Sequence, residues 1–201
     1  VVVSGSQKAY MLPPGLAFIS VSPKAWAVCE QVNTPSFYFD LKAARKSFAG
    51  KNTTPYTPAA SLILGLQESL QIMEEEGLEN IYRRHDCYKK LVRAAVKALG
   101  LELLTSEEAA SSAVTAVKKP GNLDAQKVTK IMRDKHNVVI AGGQGKLKGE
   151  IFRIGHLGYV DVNDIIVTIA ALERTLKELG WEFPLGQGVA AVQELLVEGE
   201  R

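Results

Sequence analysis

The sequence predicts a mixed chain of helices and strands, in an α/β or α+β arrangement, and three observations carry this. Strand-like runs alternate with helical periodicities, the pattern of helices packed on a sheet. The 201 residues are 46% hydrophobic and 23% charged, enough to bury one or two cores and too apolar for a disordered chain. Proline, threonine and glycine fall between the runs, where one element gives way to the next.

The chain opens VVVSGSQKAY. Three β-branched valines read as a buried strand, and SGSQ then breaks the apolar run, which puts Lys8 on a loop at the strand's end. Ends of sheet strands are where sites collect. LAFISVS, residues 16 to 22, has strand composition, and PKAWAVCEQVN reads as a helix with Pro23 in its first turn. Aromatics cluster in SFYFDL. The first boundary is KNTTPYTPAA, residues 51 to 60, where Thr57 is a natural N-cap with Pro58 at the first helical position. Leu62, Ile63, Leu66, Leu70 and Met73 then recur at helical spacing until EEEG closes the helix. A second long helix runs from Leu78 to Leu99 and stops at Gly100. After it come the short strands LELLT and SAVTAVKK, a helix from Asp124 to about His136, and the strands NVVIAG and EIFRIG. HLGYVDVND leads into the helix IIVTIAALERTLKELG, and VAAVQELLVEGE ends the chain as a further helix. The division expected is residues 1–77 as one domain part and 78–201 as a second, compact α+β unit, with no internal repeat.

Composition narrows the function classes. A net charge of +2 without a dense basic block gives no reason to expect nucleic acid or an anionic membrane as partner. The most basic run, KKLVRAAVK, has apolar residues at helical spacing and reads as a helix with a solvated basic face. Cys29 and Cys87 lie far apart without metal-ligand spacing, so neither a disulfide framework nor a metal site is expected. No apolar run reaches the roughly 20 residues needed to span a bilayer, and no signal-peptide pattern opens the chain. A cytoplasmic location is the default expectation. AGGQGKLKG follows a strand but lacks the spacing of a phosphate loop, so it reads as a flexible connector near a substrate mouth. His85, His136 and His156 are scattered, and His156 is the one close to Arg153 in sequence.

A lysine where a strand ends, preceded by hydroxyls and an amide, has the chemistry to carry a Schiff base to pyridoxal phosphate. By local composition alone it is a surface lysine. The wider stretch SGSQKAYMLPPGLAFISVS resembles the active-site segment of class V aminotransferases, in particular the alanine–glyoxylate and serine–pyruvate branch. FRIGHLG, residues 152 to 158, is similar to the family segment whose arginine binds the substrate carboxylate. TTPYTP is similar to the segment that reaches the neighbouring subunit's site, and GLEN, RRHDCYKKLV and AGGQGKLKGE fit the family pattern in order and spacing.

The resemblance implies the C-terminal part of a fold-type-I pyridoxal-phosphate transferase: the end of a large mixed-sheet domain and a small α+β domain. It implies that Lys8 is the catalytic residue and covalent anchor, with Gln7, Ser6, Thr54 and Thr57 also at the cofactor. Thr54 and Thr57 would reach the neighbouring site of a homodimer; some relatives have tyrosine where Thr54 stands. Arg153 would bind the substrate carboxylate, for which a planar guanidinium offers two parallel donors. The reaction implied moves an amino group from alanine or serine to glyoxylate or pyruvate. The family's pyridinium-contacting aspartate, stacking aromatic and phosphate turn all precede the lysine, where only seven residues stand. A fragment, or a chain completed by a separately supplied N-terminal half, is therefore expected, with weak cofactor binding by the 201 residues alone. Two alternatives stay open. One is another fold-type-I enzyme, a lyase or cysteine desulfurase relative, against which Gln7 argues because those place histidine before the lysine. The other is a non-catalytic subunit of a soluble hydrogenase, a name some relatives carry.

Overall fold

A computed structural model of the protein describes residues 1–199. Two compact units divide it, Val1–Glu75 and Glu76–Arg201.

In the first unit, β1 (Val2–Gly5) pairs antiparallel with β2 (Ala17–Ser20), Val2 opposite Ser20 and Gly5 opposite Ala17. The opening valines are extended as expected but not buried: Val2 and Val3 are 68% and 66% exposed. β-Branching fixes their backbone preference, whereas burial needs a packed neighbour, and a two-stranded ribbon supplies none on its own. Among the described residues, every buried apolar side chain lies in the second unit.

Helix α1 (Pro23–Gln31) starts where Ser22 accepts a hydrogen bond from the Ala25 N–H, with proline in the first turn. Helix α2 (Leu41–Lys51) is not among the helices expected from the sequence. Its signals are Asp40, whose carboxylate accepts from the N–H groups of Lys42 and Ala43, and Asn52, which closes it in the left-handed region at φ 51°. Helix α3 (Ala60–Glu76) begins two residues later than a cap at Thr57 predicts. The Ala59 carbonyl accepts from Ile63, whereas the Pro58 carbonyl turns to the N–H of Ala60, only two residues on. That tight turn is incompatible with a helix at Pro58, so Thr57 is not the cap.

In the second unit, helix α4 (Leu78–Ala98) follows Gly77, which breaks the chain at φ +80°. Its sheet is antiparallel in the order β3 (Val114–Lys118), β5 (Ile151–Gly155), β4 (Ala141–Gly142). Two expected strands are shorter than their composition suggested. LELLT touches β3 through one bridge, Leu103 to Val117, and NVVIAG contributes only its last two residues, with Val139 left exposed. Helix α5 (Ala125–His136) is capped by Asp124 and ends at Asn137, φ 55°. Helix α6 (Val162–Glu178) starts earlier than its apolar run because Asp161 and Asp164 form a capping box there. Helix α7 is Gln187–Gly199.

One apolar cluster holds this unit together: Leu91, Val92, Ala95 and Val96 of α4, Val128 and Met132 of α5, Ile169, Leu172 and Leu176 of α6, Val192 of α7, and Val117, Phe152 and Ile154 of the sheet. The sheet alternates accordingly. Thr115, Val117, Phe152 and Ile154 are buried, while Ala116 and Arg153 are only half-buried, as period-2 strands require. Arg93, expected on a solvated basic face, is instead buried. Its Nε donates to Glu107 at 2.8 Å and a terminal nitrogen to the Thr105 carbonyl at 3.0 Å. No described helix is long and apolar enough to cross a membrane.

Candidate active site

Ser6 organises the loop that carries Lys8. It is fully buried, its N–H donates to the Leu16 carbonyl at 3.0 Å and its carbonyl accepts from Leu12 at 3.2 Å. Its hydroxyl donates to the Pro13 carbonyl at 2.7 Å and accepts from the Leu16 N–H at 3.2 Å. The hydroxyl expected at the cofactor is therefore enclosed within the loop itself. Between these ties Met11 takes a left-handed turn at φ 59° and donates its N–H to the Lys8 carbonyl at 3.0 Å. Gln7 and Lys8 stand exposed at the crest, and no ion pair engages the Lys8 amine among the described residues.

Helix α3 backs this loop. Ser69, buried in the helix, donates its hydroxyl to the Tyr10 carbonyl at 2.5 Å. Gly65 lies so close that a Cβ there would stand 2.9 Å from Leu12 Cδ2, and a Cβ at Gly15 would stand 2.5 Å from Leu62 Cδ1. Two glycines and a serine thus let helix and lysine loop pack closely, each glycine against a leucine side chain of the other. No sequence pattern singled out Ser69, because a polar residue inside a helix ordinarily faces solvent.

Thr54 and Thr57 occupy an exposed loop of the same unit. The Thr54 hydroxyl donates to the Tyr56 carbonyl at 2.5 Å, and the Tyr56 hydroxyl donates to the Phe37 carbonyl at 2.9 Å. Tyr38 stacks on Tyr56 with centroids 4.9 Å apart. The aromatic cluster of the sequence is thus the support of the threonine loop.

Arg153 is the central residue of β5, paired with Ala116 on one side and Ala141 on the other. Small neighbours leave its long side chain room. Its Nε donates to the Gly142 carbonyl at 2.9 Å, which orients the guanidinium and leaves both terminal nitrogens without a protein partner among the described residues. Glu150, the acidic neighbour that a surface arginine would use, pairs with Lys119 at 2.8 Å. A half-buried, oriented, unpaired guanidinium is suited to a carboxylate.

The chain after Arg153 is also fixed. His156 is buried, with Nε2 2.9 Å from the Thr115 hydroxyl and Nδ1 without a partner; burial pushes its pKa down to about 4. Gly158 is gripped from both sides by consecutive residues of α4. Its N–H donates to His85 Nε2 at 3.2 Å, and its carbonyl accepts from Arg84 at 3.0 Å. An accepting Nε2 leaves the His85 proton on Nδ1, where it meets the Ile81 carbonyl at 2.7 Å. Arg84 in turn forms a two-pronged pair with Glu76 at 2.6 and 2.9 Å, and that guanidinium holds the Glu76 carboxyl below its ordinary pKa. The loop AGGQGKLKG, expected as a flexible connector, is tied by its own backbone: Gly143 extends the ladder to the Ile151 carbonyl at 3.0 Å and a 3-10 turn spans Gly145–Leu147. Among the described residues, no group of three or more His, Cys, Asp or Glu is placed to hold a metal ion.

No family model matches the chain. The soluble hydrogenase 42 kDa subunit of Anabaena cylindrica is 50% identical over 95% of this chain and 50% of its own length. A serine–glyoxylate aminotransferase of Arabidopsis thaliana is 38% identical over 98% of this chain and 49% of its own. The crystal structure of pyridoxamine–pyruvate aminotransferase from Mesorhizobium loti superposes with a TM-score of 0.91 at 28% identity, over 99% of this chain and 52% of that one. The chain spans about half the length of the curated relatives it matches. By sequence and by fold, the chain is similar over that half to aminotransferases, among them the serine–glyoxylate and pyridoxamine–pyruvate enzymes.

Proposed function

We propose that the protein is a pyridoxal-phosphate-dependent aminotransferase that moves the amino group of a small amino acid, alanine or serine, to a 2-oxo acid such as glyoxylate or pyruvate. The observation that carries this reading is Arg153: an arginine held by its Nε, with two free terminal nitrogens, on a strand whose neighbours are alanines. Lys8 suits the cofactor's aldehyde, since it stands exposed at the crest of a loop whose every turn is tied down, and its amine has no acidic partner among the described residues. Gln7 stands beside it, and Ser6 supports it from within the loop. Thr54 and Thr57 are the candidates for the cofactor phosphate, in the neighbouring site of a homodimer.

Pyridoxal phosphate, when bound, supplies the electron sink that makes the substrate's Cα–H acidic. The chain's own residues do the rest. Arg153 holds the α-carboxylate by two parallel N–H donors, which fixes where Cα lies. The Lys8 amine would hold the cofactor and, when free and neutral, would serve as the base that takes the substrate's Cα proton. Positioning of this kind is worth several kcal/mol, on the order of 7 in the best model systems. A 2-oxo acid then uses the same carboxylate grip for the reverse half-reaction.

The test is optical. The full protein with pyridoxal phosphate should show a visible band that shifts on adding alanine or serine and returns on adding glyoxylate or pyruvate. Lys8→Ala should lose the band and nearly all turnover, and Arg153→Lys should mainly raise KM, because a point charge replaces a fork. A full protein with no band, or a band indifferent to Lys8→Ala, overturns the reading. The name of the Anabaena relative favours a second reading, a subunit of a soluble hydrogenase, and it gains if no amino transfer is found.

A further inference from the structure

We infer that Gly143 and the carbonyl of Gly142 are positioning elements for substrate-carboxylate capture, acting through the Nε of Arg153; this rests on the role proposed for Arg153. An arginine presents its two terminal nitrogens as a planar fork, and an acceptor on its remaining donor, Nε, sets the direction in which that fork points. Here the fixing acceptor is main chain, the Gly142 carbonyl at 2.9 Å, at the end of a strand only two residues long. Both residues of this short strand pair with β5, and the loop from Gly143 to Glu150 extends that hold.

Beyond Gly142 the backbone folds over at once. A Cβ on Gly143 would stand 1.9 Å from the Leu147 carbonyl oxygen, 2.6 Å from its carbon and 2.9 Å from Ile151 Cγ1. Two of these three are main-chain atoms, so no rotamer change relieves the clash. The close approach has a definite result. Gly143 donates its N–H to the Ile151 carbonyl at 3.0 Å, Leu147 to the Gln144 carbonyl at 3.0 Å, and Glu150 to the Leu147 carbonyl at 3.1 Å. Residues 143 to 150 thereby close on themselves and return the chain into β5, two residues before Arg153. The same closure seats the Gly142 carbonyl against the guanidinium. Any side chain at position 143 must push Leu147 away, and with it the acceptor that aims Arg153.

The consequence falls on carboxylate binding rather than on the cofactor. In the full protein with pyridoxal phosphate, Gly143→Ala should leave the visible cofactor band in place. It should raise KM for the amino acid roughly ten-fold or more, the scale of one hydrogen bond to a charged group, with kcat changed far less. A second readout needs no turnover: labelling of Arg153 by phenylglyoxal, followed by peptide mass spectrometry, with propionate as protector. Gly143→Ala should raise the propionate concentration that protects by a similar factor. If Gly143→Ala does not fold, Gly145→Ala disturbs the same loop through its φ of +54° with no clash at Cβ, and should act in the same direction but more weakly.

A double-mutant cycle separates positioning from general damage. Lysine at position 153 has no Nε to aim, so Gly143→Ala added to Arg153→Lys should cost little more in KM; full additivity overturns the inference. Wild-type protection by propionate in Gly143→Ala and Gly145→Ala overturns it too. The reading beneath is checked separately: if Arg153→Ala leaves propionate binding and KM unchanged, it is the carboxylate role of Arg153 that fails.

Discussion

The hydroxyl of Ser69 donates to the main-chain carbonyl of Tyr10 at 2.5 Å, joining positions 59 residues apart. It ties helix α3 to the loop two residues beyond Lys8. Ser69 is buried and the bond itself part-buried, so water replaces the lost partner poorly.

Ser69→Ala should therefore cost about 1–2 kcal/mol of stability in the first unit. Its more specific effect is on the lysine loop: hydrogen exchange at residues 8 to 12 should quicken while that of α1 stays unchanged. Ser69→Thr keeps the hydroxyl and should retain slow exchange there, provided the extra methyl is accommodated. Equal exchange in wild type and Ser69→Ala would show that the loop holds without this tie.

The buried imidazole of His156 makes stability depend on pH in a defined window. Its folded-state pKa is about 4, against an ordinary value near 6.5, because burial disfavours the charged ring. Between these values the unfolded chain takes up a proton that the folded chain refuses. Stability therefore falls as pH drops from about 6.5 towards 4, by up to about 3 kcal/mol from this one group, and is insensitive to it above 7. Urea unfolding at pH 7 and pH 5, in wild type and in His156→Gln, checks this. The substitution should flatten the slope in that window, and an unchanged slope assigns the acid sensitivity to other groups.

Much of the helical part of the fold was legible because helix signals are local. Ser22–Pro23, Asp124 and Gly100 mark ends by side-chain caps or backbone freedom that the chain displays residue by residue. Helix α2 was missed although Asp40 and Asn52 bracket it, because the run of aromatics before it masks Asp40 as a cap. Burial was the harder quantity. Val2 and Val3 carry the composition of a core strand yet are exposed, since burial depends on neighbours that the local run does not encode. At the candidate site, Lys8 and Arg153 stand out only through the family resemblance of the segments around them. Their supports do not stand out, and the reason is physical: the groups that hold them are mostly carbonyls and N–H groups of Tyr10, Leu16, Gly142 and Gly158, and main-chain atoms leave no residue type to recognise.

Glu173 shows what a buried charge does when main chain alone answers it. It sits in α6 at 2% exposure and accepts N–H bonds from Gly186 at 2.6 Å, Gly188 at 2.8 Å and Val189 at 3.0 Å. These are N–H groups at and just before the start of α7, which have no acceptor within the helix, and a carboxylate also suits the positive end of the helix dipole. Gly188 is pressed against it, since a Cβ there would lie 3.0 Å from both Glu173 Oε1 and Ile169 Cγ2. Glu173→Ala leaves the donors unpaired in a dry site and should destabilise the second unit by about 3 kcal/mol or more. Glu173→Gln keeps one oxygen but turns an amide NH₂ toward the donors, and should fall between. The damage should begin locally, so hydrogen exchange at residues 186 to 192 should accelerate at temperatures where α5 is still protected. If both variants melt like wild type with α7 equally protected, the helix is held by its apolar face through Val192 and the carboxylate is incidental.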